Sequence, residues 1–540
     1  MKETLSRNWP LYASVFIFLL LIWLVLSVSI RQNHGYLAYS FDDAYIGMAM
    51  AKNFAQHGVW GVTRFGFTSC SSPPLWTLLL SLIYYLGGVN QLAPLLLNLV
   101  LTILVLAVAD GILSWYKTPA AVNFAALLSI VFLIPLPMLV LSGMEPALQT
   151  FLSMLALFYA ARFISGESPA SARGDSVRLL ILAPLVTGVR MEGLFLIIAI
   201  VALLLILKRW SLALALGALG YLPWLVYGII SVSKGWFWLP TSILQKASTP
   251  DFHSPAGLIL SLINPIYVTF RDCMHMLVLL VAILVVYILA AAKGSGARES
   301  RQIMGVILFL TGMAHAEFVG SAPMFRYDAY WCVLAILFLA LQVPVIVPRE
   351  LPLLSLSTWS APKNLACGAL ALLLFFPQAI KGGRLLWFLP QCTTNIFEQQ
   401  YQMGLFVRRY YQNSTVALND IGAVNYLADI HCLDLMGLAT EEVSARRQKH
   451  AFDVSDVERI SKETGARIAI IYDSWFVGQI PPEWSRIGRW TIPNNVIAGG
   501  TVGGDTVSFY SVDPTEAQHL SESLTDFSSK LPAEVIQRGQ

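Results

Sequence analysis

A chain of 540 residues that is 56% hydrophobic and only 12% charged, with a mean hydropathy of +0.65, has half the charge of an ordinary soluble protein, where roughly 25% is usual. This excludes a soluble enzyme and the disordered, collagen-like and disulfide-scaffold classes, and its six scattered cysteines make no zinc framework. A net charge of +3 is too small to imply a nucleic-acid partner.

The charge is unevenly spread. Residues 1–380 hold 21 Lys or Arg and 14 Asp or Glu, whereas the shorter stretch 381–540 holds 14 and 18. The chain changes solvent near residue 380. Residues 1–380 are expected to be a polytopic α-helical membrane domain of about 11 transmembrane helices, and 381–540 an α/β domain in water.

In chain order, Leu11–Ile30 is the first run long enough to cross a bilayer. Lys2 and Arg7 precede it, so its N-terminus is expected in the cytoplasm and the segment is read as a retained signal anchor. Residues 31–72 then form a polar loop on the outside. Apolar stretches follow at 73–88, 92–115, 119–140, 144–163, 179–189, 193–207, 210–231, 273–292, 302–320, 329–348 and 364–380. Basic residues cluster between them at Arg162/Arg173/Arg178, Lys208/Arg209, Lys293/Arg298/Arg301 and Arg349/Lys363. With those loops inside, the loops at 190–193, 232–272 and 321–328 and the 381–540 domain face outward. The crossing count between 31–72 and 164–178 is then one too many. The stretch 73–88, short and opening on Pro73-Pro74, is expected to be re-entrant, and 179–189 with 193–207 to be a short hairpin.

In the last domain, "STVALND" reads as a buried strand, "IGAVNYLADI" as a helix and "ARIAIIYDS" as a second strand preceded by a helix. "TVGGDTVSFYSVD" reads as a hairpin on a Gly-Gly-Asp turn. No nucleotide-binding motif is present. Cys392 and Cys432, the two cysteines of this part, are either bridged in an oxidising compartment or two free thiols.

Charged groups beside a membrane are costly unless they pair or work. Five groups stand at the outer ends of spans. F-D-D-A-Y (Phe41–Tyr45) puts two adjacent carboxylates together. One suits a general base and the pair suits Mg²⁺ or Mn²⁺, or else they open a helix. Glu145 in S-G-M-E-P stands at the start of a span. Arg190 and Glu192 in R-M-E-G either pair with each other or offer a guanidinium to a phosphate. Lys246, after the aromatic Trp236/Trp238 belt, and Arg326 in F-R-Y-D are further phosphate-binding candidates. His315 and Glu317, inside an apolar span, read as structural.

These elements occur in a fixed order: D-D-A-Y, T-S-C-S-S-P-P-L-W (Thr68–Trp76), S-G-M-E-P, R-M-E-G, L-P-T-S-I-L-Q-K, then N-D-I-G-A-V-N-Y and D-L-M-G-L between Asn419 and Leu438. That order resembles the GT-C superfamily of polytopic glycosyltransferases, in particular the group typified by the mycobacterial terminal β-(1→2)-arabinofuranosyltransferase. The resemblance implies an inverting glycosyltransferase of the inner (plasma) membrane with its site and C-terminal domain extracytoplasmic. Its donor would be a polyprenyl-phosphate sugar and its acceptor a cell-envelope glycan or glycolipid. Asp42 or Asp43 would be the catalytic base. Arg190, Lys246 and Arg326 would meet the donor phosphate, and Tyr45, Glu145 and Glu192 would line the cavity. A transporter or flippase for a lipid-linked solute, and a membrane-anchored glycan-binding protein, are the alternatives that twelve apolar stretches and an appended domain also allow.

Overall fold

The computed structural model describes residues 2–166, 172–245, 254, 273–319, 323–346, 362–495 and 501–539. Each predicted apolar stretch falls on a helix: α1 (Lys2–Gln32), α3 (Pro74–Gly87), α4 (Ala93–Trp115), α5 (Ala120–Leu133) with α6 (Leu136–Leu141), α7 (Pro146–Ser165), α8 (Ala172–Val189), α9 (Gly193–Ile206), α10 (Trp210–Ser233), α12 (Met274–Ala292), α13 (Ser300–Phe318), α14 (Ala329–Ile346) and α15 (Pro362–Ile396). Among the described residues six are long and apolar enough to cross a bilayer: Asn8–Gln32, Ala93–Trp115, Pro146–Ser165, Trp210–Ser233, Met274–Ala292 and Ala329–Ile346. The stretch 119–140 is interrupted where Pro135 and Pro137 remove helix N–H donors, giving α5 and α6 instead of one rod. At 14 residues, α3 spans only about 21 Å of rise, short of the roughly 30 Å of hydrocarbon.

The bundle shows lipid logic. Phe18, Ile22 and Val25 of α1 are buried, while Phe16 and Trp23 on its other side are among many large apolar residues left exposed. In water such a surface would aggregate, whereas in a bilayer it is solvated.

Two additional helices matter for the site. The segment 31–72 is not an open loop. It holds α2 (Asp42–His57), buried along most of its length and ended by Gly58 in the left-handed conformation. The Asn53 side chain then donates to the carbonyls of Gly61 and Val62, tying down the chain beyond it. A single turn, α11 (Thr241–Leu244), lies within the 232–272 connection.

Helix α15 runs unbroken past residue 380 into a π turn (Phe397–Tyr401) and α16 (Gln402–Tyr410). A six-stranded mixed sheet follows, built from β1 (Thr415–Leu418), β2 (His431–Asp434), β3 (Ile468–Ile471), β4 (Ser485–Thr491), β5 (Thr506–Ser511) and β6 (Ile536–Gly539) in the order β2-β1-β3-β5-β4-β6. β1 pairs with β2 and β3 in parallel, and β3-β5-β4-β6 are antiparallel. The parallel neighbours β1 and β2 are joined through the short helix α17 (Gly422–Leu427). On the chain's way to β3, α18 (Glu441–Gln448) is followed by α19 (Val454–Thr464), which the Asp453 side chain caps through the N–H groups of Ser455 and Asp456. Helix α20 (Ala517–Ser528) packs Phe527 on Trp490 of β4, beside Phe406 of α16.

One expectation is corrected and one open alternative is decided. Gly503-Gly504 do not form the tight turn expected: β5 pairs antiparallel with the preceding strand β4, Thr506 opposite Thr491, but the connection runs from 492 to 505, and β5 also pairs with β3. Both glycines instead stand against the rings of Tyr472 and Trp475, where a Cβ on Gly503 would come within 2.2 Å of Trp475. Cys392 and Cys432 are free thiols, the first buried on α15 and the second on β2.

Candidate functional site

Helix α2 begins with both aspartates in its first turn, after Phe41 in extended conformation. Neighbours on a helix point about 100° apart, so the two carboxylates part company. Asp42 is 8% exposed and turns to the C-terminal domain. Its oxygens accept the backbone N–H groups of Gly422 (2.7 Å) and Ala423 (2.8 Å) at the start of α17. Only glycine fits at 422, since a Cβ there would come within 2.0 Å of the Asp42 carbonyl oxygen. Asp43, 37% exposed in its side chain, forms an ion pair with Arg326.

Arg326 lies in the turn between α13 and α14. Met324 and Phe325 hold φ of 63° and 54° there, in the left-handed region that non-glycine residues avoid. The strained turn is anchored from below. Phe325 is fully buried with Lys381 Nζ 4.1 Å over its ring. The same Nζ is 3.1 Å from both Asp328 and His275, which bond each other. The Arg326 guanidinium lies between the rings of Phe41 and Tyr327, 5.4 Å from each centroid, and its buried Nε–H has no hydrogen-bond partner among the described residues.

Behind Tyr327 is a second charged knot. Arg190 stands 4.6 Å from the centroid of the same Tyr327 ring. It grips Glu192 with a two-point fork (2.6 and 3.1 Å) and also pairs with Glu145. These three motif residues, from 145 and 190–192, are brought together, but Arg190 is 5% exposed and its fork is occupied by two carboxylates. Arg190 and Glu192 line a cavity of about 400 Å³ with Ser72, Phe195, Ser242 and Tyr327. Glu145 lies behind them, 1% exposed. Tyr45 is fully buried, its hydroxyl held by the Tyr39 N–H and Gln91 Nε2 at 3.1 Å each. Lys246 lies outside the described residues. His315 bonds Tyr330 through Nδ1 (3.2 Å).

The remaining motifs knit the two parts of the chain. Thr241 Oγ1 donates to the Leu438 carbonyl at 2.6 Å, its N–H to the Ser69 carbonyl at 2.8 Å, and Gln245 to the Met436 carbonyl at 2.7 Å. Asp434 closes the D-L-M-G-L turn by accepting from the N–H groups of Met436 and Ala439.

Sequence reasoning missed Asp420, Lys52 and Tyr327. Asp420 ends the β1 edge beside Asp42, where Gln400 (2.8 Å) and Tyr472 (2.9 Å) donate to it. Its place at the carboxyl end of a parallel strand is the signal that pointed to it. Lys52 reaches the Asn425 and Tyr426 carbonyls and Asp429 at 3.0–3.3 Å, and no local pattern marks that.

As a cation site the Asp42/Asp43 pair is poorly arranged. The oxygens of Asp42 face N–H donors and Asp43 faces a guanidinium. Among the described residues, His275, Asp328 and Cys332 come close enough together to share an ion, but the Lys381 ammonium already stands among them.

Burial and the charge of Asp420 push Asp42 up to about 8, against the pull of its two N–H donors. Burial and Glu534 push Glu398 up to about 7, and burial pushes Asp434 up to about 6. A raised carboxyl keeps its proton in the folded chain where the unfolded chain has lost it. The stability it adds is complete below about pH 4 and is lost as pH climbs through those values. The unfolding temperature of the detergent-solubilised protein is therefore expected to fall from pH 5 to pH 8, and Asp42→Asn to flatten the upper part of that fall. A midpoint that rises over this range would contradict it.

Residues 394–510 match a family model described as a domain of unknown function (DUF8728). No curated protein matches the chain. Among solved structures the chain is similar to ArnT from Cupriavidus metallidurans bound to undecaprenyl phosphate, with TM-score 0.51 and 14% identity over 93% of this chain and 98% of that one. The apo state of the same protein gives 0.51 and 13%, over 94% and 99%. The Archaeoglobus fulgidus oligosaccharyltransferase in the apo form gives 0.48 and 10%, over 88% and 73%. At 0.51 over nearly the whole chain, the ArnT likeness shows a shared fold: a polytopic helical architecture carrying a C-terminal domain with a mixed sheet.

Proposed function

We propose that the chain is an inverting glycosyltransferase that moves a hexosyl or pentosyl unit from a polyprenyl-phosphate donor to a cell-envelope glycan or lipid acceptor, at the outer face of the inner membrane. The observation that carries the reading is the Asp43–Arg326 pair, in which a half-exposed carboxylate shares a guanidinium whose remaining buried edge is unfilled. The fold shared with a protein crystallised with undecaprenyl phosphate supports a lipid phosphate as the ligand for that edge.

The chemistry follows from the pair. The acceptor hydroxyl oxygen attacks the anomeric carbon as the bond from that carbon to the phosphate oxygen breaks. The hydroxyl proton passes to Asp43, and the negative charge of the leaving group falls to Arg326. As charge grows on the phosphate, Arg326 is drawn from Asp43 toward it, which frees the carboxylate as the proton arrives. One carboxylate acting on one face inverts the anomeric configuration. Arg190, balanced by Glu145 and Glu192, holds Tyr327 and the cavity wall rather than the phosphate. Lys246 is a second candidate for the phosphate.

Purified protein incubated with a panel of polyprenyl-phosphate sugars is expected to release lipid phosphate in the presence of an acceptor. Transport of the lipid-linked solute across liposomes without any covalent product would instead favour a flippase. Because Asp42 and Asp43 face donors, turnover is expected to survive EDTA. Loss on chelation that Mg²⁺ or Mn²⁺ restores would place a cation at this pair.

A further inference from the structure

The C-terminal domain reaches the candidate base through a clamp on α17. Helix α2, which carries Asp43, packs along α17 and grips it at both ends. At the start of α17, Asp42 takes the N–H groups of Gly422 and Ala423. At its end, Lys52 takes the carbonyls of Asn425 and Tyr426 and pairs with Asp429 at 3.2 Å. An acid at a helix start and a base at its end each meet the backbone groups left unpaired there. The contacts are buried: Asp42 is 8% exposed and the Lys52 side chain 12%. They are also sterically exact at one point, because nothing larger than hydrogen fits between Gly422 and the Asp42 backbone.

The first turn of α2 has no capping side chain of its own. Its position is therefore set from outside. Tyr39 and Ala44 close on Gly143 on one side, and α17 stands against Asp42 on the other. Asp43 is the next residue along that turn, so a displacement of α17 moves the carboxylate relative to Arg326, whose own turn is anchored separately by Lys381, Asp328 and His275. The two halves of the ion pair thus belong to different supports, and their register is decided by where α17 sits.

We infer that Lys52 and Gly422 are positioning residues: the C-terminal domain, through α17, sets the distance between Asp43 and Arg326 and so governs turnover instead of serving only as a platform for the acceptor. The inference rests on the reading of Asp43 as the base. A small displacement of a reacting group lowers rate far more than binding, which separates this role from a merely structural one.

The test uses the full-length protein. Lys52→Met is expected to lower kcat roughly 10- to 100-fold with the KM for the donor within about twofold, and Lys52→Arg to restore most of it. Gly422→Ala is expected to act in the same direction. Hydrogen exchange supplies a readout independent of activity: the Gly422 and Ala423 amides are expected to be protected in the wild type and to exchange about tenfold faster in Lys52→Met. Unchanged kcat and unchanged exchange in Lys52→Met would overturn the inference, as would a loss that Lys52→Arg fails to restore or one carried equally by KM. If the wild type turns over no lipid-linked sugar, the proposed function fails while the exchange result still decides whether the clamp exists.

Discussion

Asp43→Asn is expected to lower transfer roughly 10²- to 10⁴-fold, the range that a positioned general base contributes, with the affinity for donor little changed. The asparagine keeps the size of the side chain and can still accept a hydrogen bond from Arg326, so the site should stay assembled. What it loses is the capacity to take the acceptor proton. Asp42→Asn is the contrasting variant. It leaves one oxygen to serve two N–H donors, so its principal effect should be on the seating of α17 and on stability. The measurement is kcat and KM for both variants beside their unfolding temperatures. A large kcat loss confined to Asp42→Asn would reverse the assignment.

Arg326→Gln is expected to cost roughly 10²- to 10³-fold in kcat, by analogy with removal of a preorganised donor to a developing oxyanion. Arg326→Lys should recover little of it. An ammonium is a point charge, whereas the position calls for a planar fork that meets Asp43 with one edge and presents Nε–H with another. The guanidinium is also set between the faces of Phe41 and Tyr327, a geometry that lysine does not reproduce. Steady-state kinetics with a lipid-linked donor read both variants. Full rescue by lysine would mean that net charge suffices and that the fork is not used.

Much of the membrane part is legible in the sequence because lipid imposes a simple rule: an apolar run of sufficient length must close its own hydrogen bonds and so becomes a helix. Every predicted stretch obeys it, and 119–140 divides where prolines deny the helix its donors. The small domain is less legible. "TVAL" and "IAII" are buried on both faces and read directly as strands. β2, "HCLD", is four residues at a sheet edge, and β4 is broken by a register shift between Arg486 and Gly488, so neither has a clean alternation. The Gly-Gly-Asp signal sits just before β5, but the paired strand β4 ends at Thr491, further back than a tight-turn rule looks.

The site follows the same division. The charged residues that matter lay in short motifs because charge beside a membrane is rare and conspicuous. Their partners were not legible. Asp42 meets Gly422 across 380 positions of chain and Arg326 meets Asp43 across 283, and no spacing rule links such pairs. The same gap made Arg190 look like a free phosphate ligand, although Glu145 stands against it from another helix end. Two neighbouring aspartates read as interchangeable until the fold gave them different surroundings, one against amide donors and one beside a guanidinium.

The most direct measurement is the configuration of the product. With a polyprenyl-phosphate sugar carrying ¹³C at its anomeric carbon, the purified protein is predicted to release lipid phosphate and to form one glycosidic bond of opposite configuration. In Asp43→Asn both products should fall together. Retained configuration, or transfer that continues undiminished in Asp43→Asn, would contradict a single displacement at the Asp43–Arg326 pair.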